Sequence, residues 1–570
     1  MIGAQVVAAD PVIFPLDKIR PGLQAETLTV LQGTEVVSLK TEILGILEGG
    51  IGPGRDLIVA KLVDSKTELT GAVHGMSGSP VYVDGKLVGA LSRRLMLFEK
   101  DGHCGITPAE YMVDVANRGR GPSGPGLVSD RTPMPTPKDF MFLPSPESRS
   151  NVLGIPMSLT GWNDSWEPLK GKWKTLFPGT LPISGGSSGK TNRELPKVKA
   201  GSPLSVVLMS GDVSMAGTGT VTWVEGEQVV GFGHPMLGLG PLQLPIAPAE
   251  IVTLVPSYLR PHKLSNTAEV CGTLYQDRLA AISGELGDVP EMATYRVHRK
   301  HQNQERPDWT GQLIKHPLLT PRLVMLLGIQ ALMEPQDFSE TFTATIQTRL
   351  SFKDQPDLVM DGFYSGGVAA RFDAVLGQMI PLAQLFAKFG KQLSLESVEY
   401  SVVSYEQGEV WSLRSLETER DEVEVGDTLK VRVRLKNDRG EEKELSMNWE
   451  PPEELRGKRV SLRCAAGSAL NLDLDFSINA SRIEQPADAI RYFNQSYRNN
   501  TLYLQAVSLD KGVLKRGKVQ ANLPVTVYRT AKESSFPQTS AVTDTVVWSQ
   551  QEQRIQGMAR GIVAKGITIR

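Results

Sequence analysis

The 570-residue chain has little cysteine, few aromatic residues, almost no net charge and no long apolar run. Its three cysteines, Cys104, Cys271 and Cys464, are too few and too far apart for a disulfide framework or a cysteine zinc site. Lysine plus arginine number 61 and aspartate plus glutamate 63, a net charge of −2. No bulk positive field gathers phosphates, which excludes a generally basic nucleic-acid binder. No stretch reaches about 18 consecutive apolar residues, so no membrane-spanning helix is expected. There is no His-Glu-x-x-His pattern, no dinucleotide glycine fingerprint placed between a strand and a helix, and no fixed-period repeat. No metal or organic cofactor is expected.

What the chain does have is glycine (55) and proline (37), which points to many turns and few long helices. Residues 11–118 read as short strands: LTVLQGTEVVSL, TEILGILEGG and DLIVAKLV are β-branched runs broken by glycine. VYVDGKLVGAL is a hairpin around Asp84-Gly85. ITPAEYMVDVANRG predicts a short helix, with Thr107 as N-cap and Pro108 at its first position. Residues 119–151 are rich in Pro, Gly and Ser and read as a linker; the irregular stretch continues to 200. Strands return over 201–350. Residues 366–392 have helical spacing, with a break or kink at Pro381. Alternation in VEVGDTLKVRVRLKNDRGEEKELSMNW predicts a β-sandwich with one wet face.

These patterns divide the chain into 1–118, 119–200, 201–350, a helical connection over 351–408, and a sandwich-like region over 409–570. Ser184-Gly185-Gly186-Ser187-Ser188-Gly189-Lys190-Thr191 comes close to a phosphate-binding loop. Pro196 and the absence of a helical pattern after it argue for a linker instead. The opening MIGAQVVAAD is apolar but lacks a basic start; it reads as a signal-peptide remnant or a frayed terminus.

The chemistry concentrates in HGMSGSPVYVDGKLVGAL, residues 74–91. A serine nucleophile needs a tight turn that exposes its hydroxyl and aims backbone N–H groups at an oxyanion. Gly75-Met76-Ser77-Gly78-Ser79-Pro80 supplies one, with Ser77 as nucleophile and the N–H groups of Gly75 and Ser77 as the oxyanion hole. It is not the elbow of α/β-hydrolases, since position 79 is serine and a hairpin follows. Among the seven histidines, His234 ranks first as base because Gly-Phe-Gly-His-Pro ends a hairpin with small residues around the imidazole. His74, three residues before Ser77, ranks second.

The segment GMSGSP followed by VYVDGKLVGA resembles the serine motif of the SpoIVB peptidase family, and AGTGTVT leading to VVGFGHP is similar to that family's histidine segment. The resemblance covers about a third of the chain, 11–118 and 201–290. It implies a serine endopeptidase on a chymotrypsin-like double β-barrel, with Ser77 as nucleophile, His234 as general base and a peptide or protein substrate. The expected fold is mainly β: a serine-bearing barrel half, then a histidine-bearing half, then the sandwich. The order is reversed relative to the sporulation peptidases, where the histidine segment comes first, and no PDZ-like segment is present. Geometry rather than chain order defines a triad, so the reversal is compatible with activity.

The family's aspartate lies shortly before the serine. Asp64, 13 residues ahead of Ser77, is the nearest match. Asp277, 43 residues after His234, would share a barrel with the base; Asp56 is a third option. A Ser/His dyad without a carboxylate is a further possibility. The resemblance also points to the cell envelope, periplasmic or secreted. The competing expectation is a non-catalytic envelope scaffold or peptide-binding protein that retains the fold.

Overall fold

Glycine-punctuated, β-branched runs close into barrels when each strand has one apolar face and tight turns join neighbours. In a computed structural model of the chain this happens twice. The structure describes residues 11–67, 70–95, 101–120, 153–161, 173–187, 197–257, 260–302, 304–332, 342–366, 368–405, 408–473, 483–508, 512–515, 518–521, 524, 526, 540–543 and 546–570. The linker from residue 121 on and the Ser188–Thr191 part of the near-miss loop lie outside the described residues.

The chain forms two units, residues 1–295 with 309–323, and 296–308 with 324–570. The first unit holds both barrels. One is closed by strands Gln24–Val30, Val36–Gly52, Arg55–Leu62, His103–Pro108, Lys86–Arg94 and Pro80–Val83, in that order, and shuts through the pairs Glu26–Tyr82 and Thr27–Val81. Leu39, Ile43, Ile58, Val81, Leu91 and Ile106 fill its interior. Asp84 and Gly85 turn the predicted hairpin with φ of 49° and 73°, the left-handed pair that a two-residue hairpin loop requires.

The other barrel runs Pro203–Gly211, Ser214–Glu225, Gln228–Gly231, Ile282–Leu286, Gly272–Asp277 and Gly240–Val255. It closes where Leu204, Ser205 and Val206 pair with Pro248, Ala247 and Ile246. Two six-stranded barrels, the serine-bearing one first, are the chymotrypsin-like arrangement expected.

The predicted helix forms over Ala109–Ala116, but Thr107 does not cap it; Pro108 stands at the cap with no side-chain hydrogen bond. The Thr107 hydroxyl turns into the protein instead and donates to Gly233 O (2.6 Å).

In the second unit, Leu358–Gly366, Phe342–Phe352 and Leu395–Tyr405 form an antiparallel set. Helix Val368–Phe389 continues through Pro381. A four-stranded and a five-stranded sheet then enclose Val431, Val433, Trp449, Leu462, Leu504 and Ile567. Strand Leu429–Asn437 alternates buried and outward residues, as a sandwich with one wet face demands. Among the described residues no helix is long and apolar enough to cross a membrane.

Candidate active site

The serine turn is built by two left-handed glycines. Gly75 and Gly78 both have φ of 95°, which a side chain would strain. Met76 N–H donates to Val73 O (3.0 Å), Gly78 N–H to Leu91 O (2.8 Å) and Ser79 N–H to Met76 O (2.9 Å). The carbonyls of Gly75, Ser77 and Gly78 face the second barrel. Gly75 O accepts from Thr220 Oγ1 (2.9 Å) and Gly78 O from Thr222 Oγ1 (2.8 Å). Ser77 O accepts from Thr220 N–H (2.8 Å), and His74 O from Lys263 N–H (3.0 Å). With the carbonyls engaged, two donors remain: among the described residues the N–H groups of Gly75 and Ser77 have no acceptor. Such a pair, next to a serine hydroxyl, is the composition of an oxyanion hole.

The structure brings the histidine segment against this turn. A methyl group on Gly78 would lie 1.9 Å from Thr220 O and 2.4 Å from Phe232 N, so glycine is what admits the approach. Phe232 has φ of 69° and Gly233 66°, two successive left-handed residues. For phenylalanine this is a strained backbone, of the kind held in place at functional sites. Gly233 is wedged against Ala90 and Ser92 of the serine barrel, and the Thr107 hydroxyl fastens its carbonyl.

His234 is 2% exposed. Its Nδ1 lies 2.8 Å from Pro235 O. A carbonyl only accepts, so Nδ1 carries the proton and Nε2 is the basic nitrogen. Ser77 is 0% exposed, and its Oγ makes no hydrogen bond among the described residues. Both side chains are buried, and Ser77 Oγ and His234 Nε2 do not bond each other.

The carboxylates take different places. Asp277, 2% exposed, accepts the N–H groups of Met236 (2.8 Å), Leu237 (2.8 Å), Gly238 (2.7 Å) and Leu239 (3.3 Å). It clamps the loop that follows His234 and leaves Nδ1 to Pro235. Burial raises its pKa, while the four N–H donors act in the opposite direction. Asp64 accepts from Lys66 N–H (3.0 Å) and Lys40 N–H (3.3 Å), holding a turn of the serine barrel. Those bonds, the one to Lys66 foremost, keep its pKa low. Asp56 accepts from Gly49 N–H (2.9 Å).

His74 Nδ1 donates to Gly154 O (3.1 Å). Burial drives its pKa down to about 4. Among the described residues no cluster of three His, Cys, Asp or Glu is placed to hold a metal.

Sequence reasoning missed Thr107, Thr220 and Thr222, whose hydroxyls tie the two segments together. AGTGTVT held a signal, since threonine alternating with glycine or valine puts hydroxyls along one strand face.

Residues 9–112 match the model of the family described as SpoIVB peptidase S55. The match contains the whole serine turn; His234 lies outside it. None of the curated proteins and none of the solved structures matches the chain.

Proposed function

Starting from a chain whose residues 9–112 are matched by the SpoIVB peptidase S55 family, we propose a serine endopeptidase that cleaves peptide bonds with Ser77 and His234. Ser77 Oγ attacks the peptide carbonyl while His234 Nε2 takes its proton. The N–H groups of Gly75 and Ser77 receive the developing oxyanion, an interaction worth about 3–4 kcal/mol per donor in comparable sites. His234 then returns the proton to the leaving amine, and water hydrolyses the acyl-enzyme.

In this scheme Pro235 O fixes the tautomer that a triad carboxylate would fix, and Asp277 supports the loop through its backbone. The pair works as a dyad. The observation that carries the reading is the pair of N–H groups, of Gly75 and Ser77, that have no acceptor among the described residues, on a turn whose carbonyls are engaged by other donors. Because Ser77 is fully buried, substrate entry requires a local opening of the turn or of the strands against it. A peptide or protein substrate and a place in the cell envelope, periplasmic or secreted, belong to the same proposal.

Fluorophosphonate labelling with peptide mapping tests it. Label on Ser77, abolished by Ser77→Ala and by His234→Ala, supports an activated serine. The closed site, with no Ser77–His234 hydrogen bond, favours a second reading: a non-catalytic scaffold or peptide-binding protein that kept the peptidase fold. Folded protein that takes no label, even under mild destabilisation, selects that one.

A further inference from the structure

Among the described residues Lys263 is the only charged one of the largest fully buried side chains, 1% exposed. A buried lysine without a counter-ion is costly, and a methionine would fill the space more cheaply. Its position is specific. Strand His262–Thr267 enters beside the serine turn, where His74 N–H donates to Pro261 O (2.9 Å) and Lys263 N–H donates back to His74 O (3.0 Å). The Lys263 stem then runs along Gly75: a methyl group there would lie 3.2 Å from Lys263 Cβ and 3.3 Å from its Cδ. The ammonium nitrogen is two bonds further on, which keeps it within about 6 Å of that point. It donates to Thr29 Oγ1 (2.8 Å), itself fully buried. Among the described residues this is its one hydrogen bond, and no carboxylate pairs with it.

We propose that Lys263 is a positioning residue of the serine turn, whose ammonium supplies the positive charge that steadies the oxyanion held by Gly75 and Ser77. The inference rests on the peptidase reading above. As Ser77 Oγ bonds to the carbonyl carbon and its proton passes to His234, the carbonyl π electrons move onto oxygen. The negative charge forms at the Gly75 N–H, beside the lysine stem, in an interior where a nearby cation acts strongly.

Burial brings the Lys263 pKa down to about 7, so the charge is present below that pH and lost above it. The groups facing this region are few. Thr29 and the Gly75 backbone are uncharged, and Pro156 packs on Gly75 beside the lysine. The neighbouring imidazoles are His74, kept neutral by burial, and His262, whose Nδ1 donates to Arg260 O (2.9 Å). Arg94 and Arg260 are the cations close enough to act on His74.

The test is the pH dependence of the fluorophosphonate labelling rate for wild type, Lys263→Met and Lys263→Arg, with thermal melts of each. Wild type is expected to lose rate as pH rises through about 7. Lys263→Met should label about ten- to fiftyfold more slowly at pH 6 and show no such loss, while melting at or above the wild-type temperature. Lys263→Arg, with its charge retained, should carry the alkaline limb beyond pH 9. A Lys263→Met protein with wild-type rate and limb, or a Lys263→Arg protein whose limb stays near 7, overturns the role of Lys263 and leaves the peptidase standing. Wild type that labels at no pH overturns both.

Discussion

At Gly78 the two halves of the candidate site pack tightly. A side chain there meets Thr220 O and the Phe232 backbone, on a φ of 95°. Gly78→Ala combines left-handed strain with overpacking and should cost about 2–4 kcal/mol. Thermal melting of the variant measures it; a loss under about 0.5 kcal/mol, the size of an ordinary surface change, contradicts the close approach. Single residues were unevenly legible. Ser77 and His234 stood out because each sits in a glycine-framed turn whose local sequence has few other uses. Thr107 and Lys263 did not, because their partners Gly233 and Thr29 are 126 and 234 residues away. Thr107 was also drawn to a helix cap by its neighbour Pro108, and the tertiary bond to Gly233 won. Asp277 was legible as a carboxylate belonging to the histidine barrel. Its use of four backbone N–H groups rather than an imidazole depends on a loop conformation that spacing alone does not encode.

Strand Ser214–Glu225 is the element that joins turn to barrel. Thr220 and Thr222 bond Gly75 O and Gly78 O from one face, two residues apart as strand geometry dictates. Replacing both with valine keeps the β-branched shape and removes both donors, a loss of about 2–3 kcal/mol. With the turn carbonyls released, Ser77 labelling should fall at least tenfold while far-ultraviolet circular dichroism stays unchanged; undiminished labelling would separate this strand from the site. The hairpin over 80–94 was readable from Asp84-Gly85 because its turn has to adopt two positive φ values. The helix over 368–389 was readable from its spacing, yet it continues where Pro381 suggested a break, since a proline removes one backbone hydrogen bond without forbidding the turns on either side.

For the molecule as a whole, the mainly β character followed from alternation and glycine punctuation and the order of barrels from the family resemblance of the serine and histidine segments, while barrel closure depends on pairs such as Leu204–Pro248 that no local pattern announces. The barrel unit should also be acid-labile. Burial lowers His74 and His316 from a usual 6.5 to about 4. Between those values the unfolded chain binds more protons than the folded one, so stability rises with pH across the window and is lost as pH falls from 6.5 toward 4. Each histidine contributes roughly 3 kcal/mol over the full window. Melting temperature followed from pH 7 to 4 should therefore drop steeply, and His74→Gln should flatten that slope; a flat wild-type profile would contradict the burial of the two imidazoles.

An oxyanion hole at the Ser77 turn, facing a histidine base, would be visible in a crystal structure of the phosphonylated protein. The expected result is phosphorus bonded to Ser77 Oγ, with one phosphoryl oxygen about 3 Å from both the Gly75 and Ser77 nitrogens and His234 Nε2 turned toward the adduct. Phosphorus on another side chain, or a phosphoryl oxygen pointing away from those two N–H groups, would contradict it.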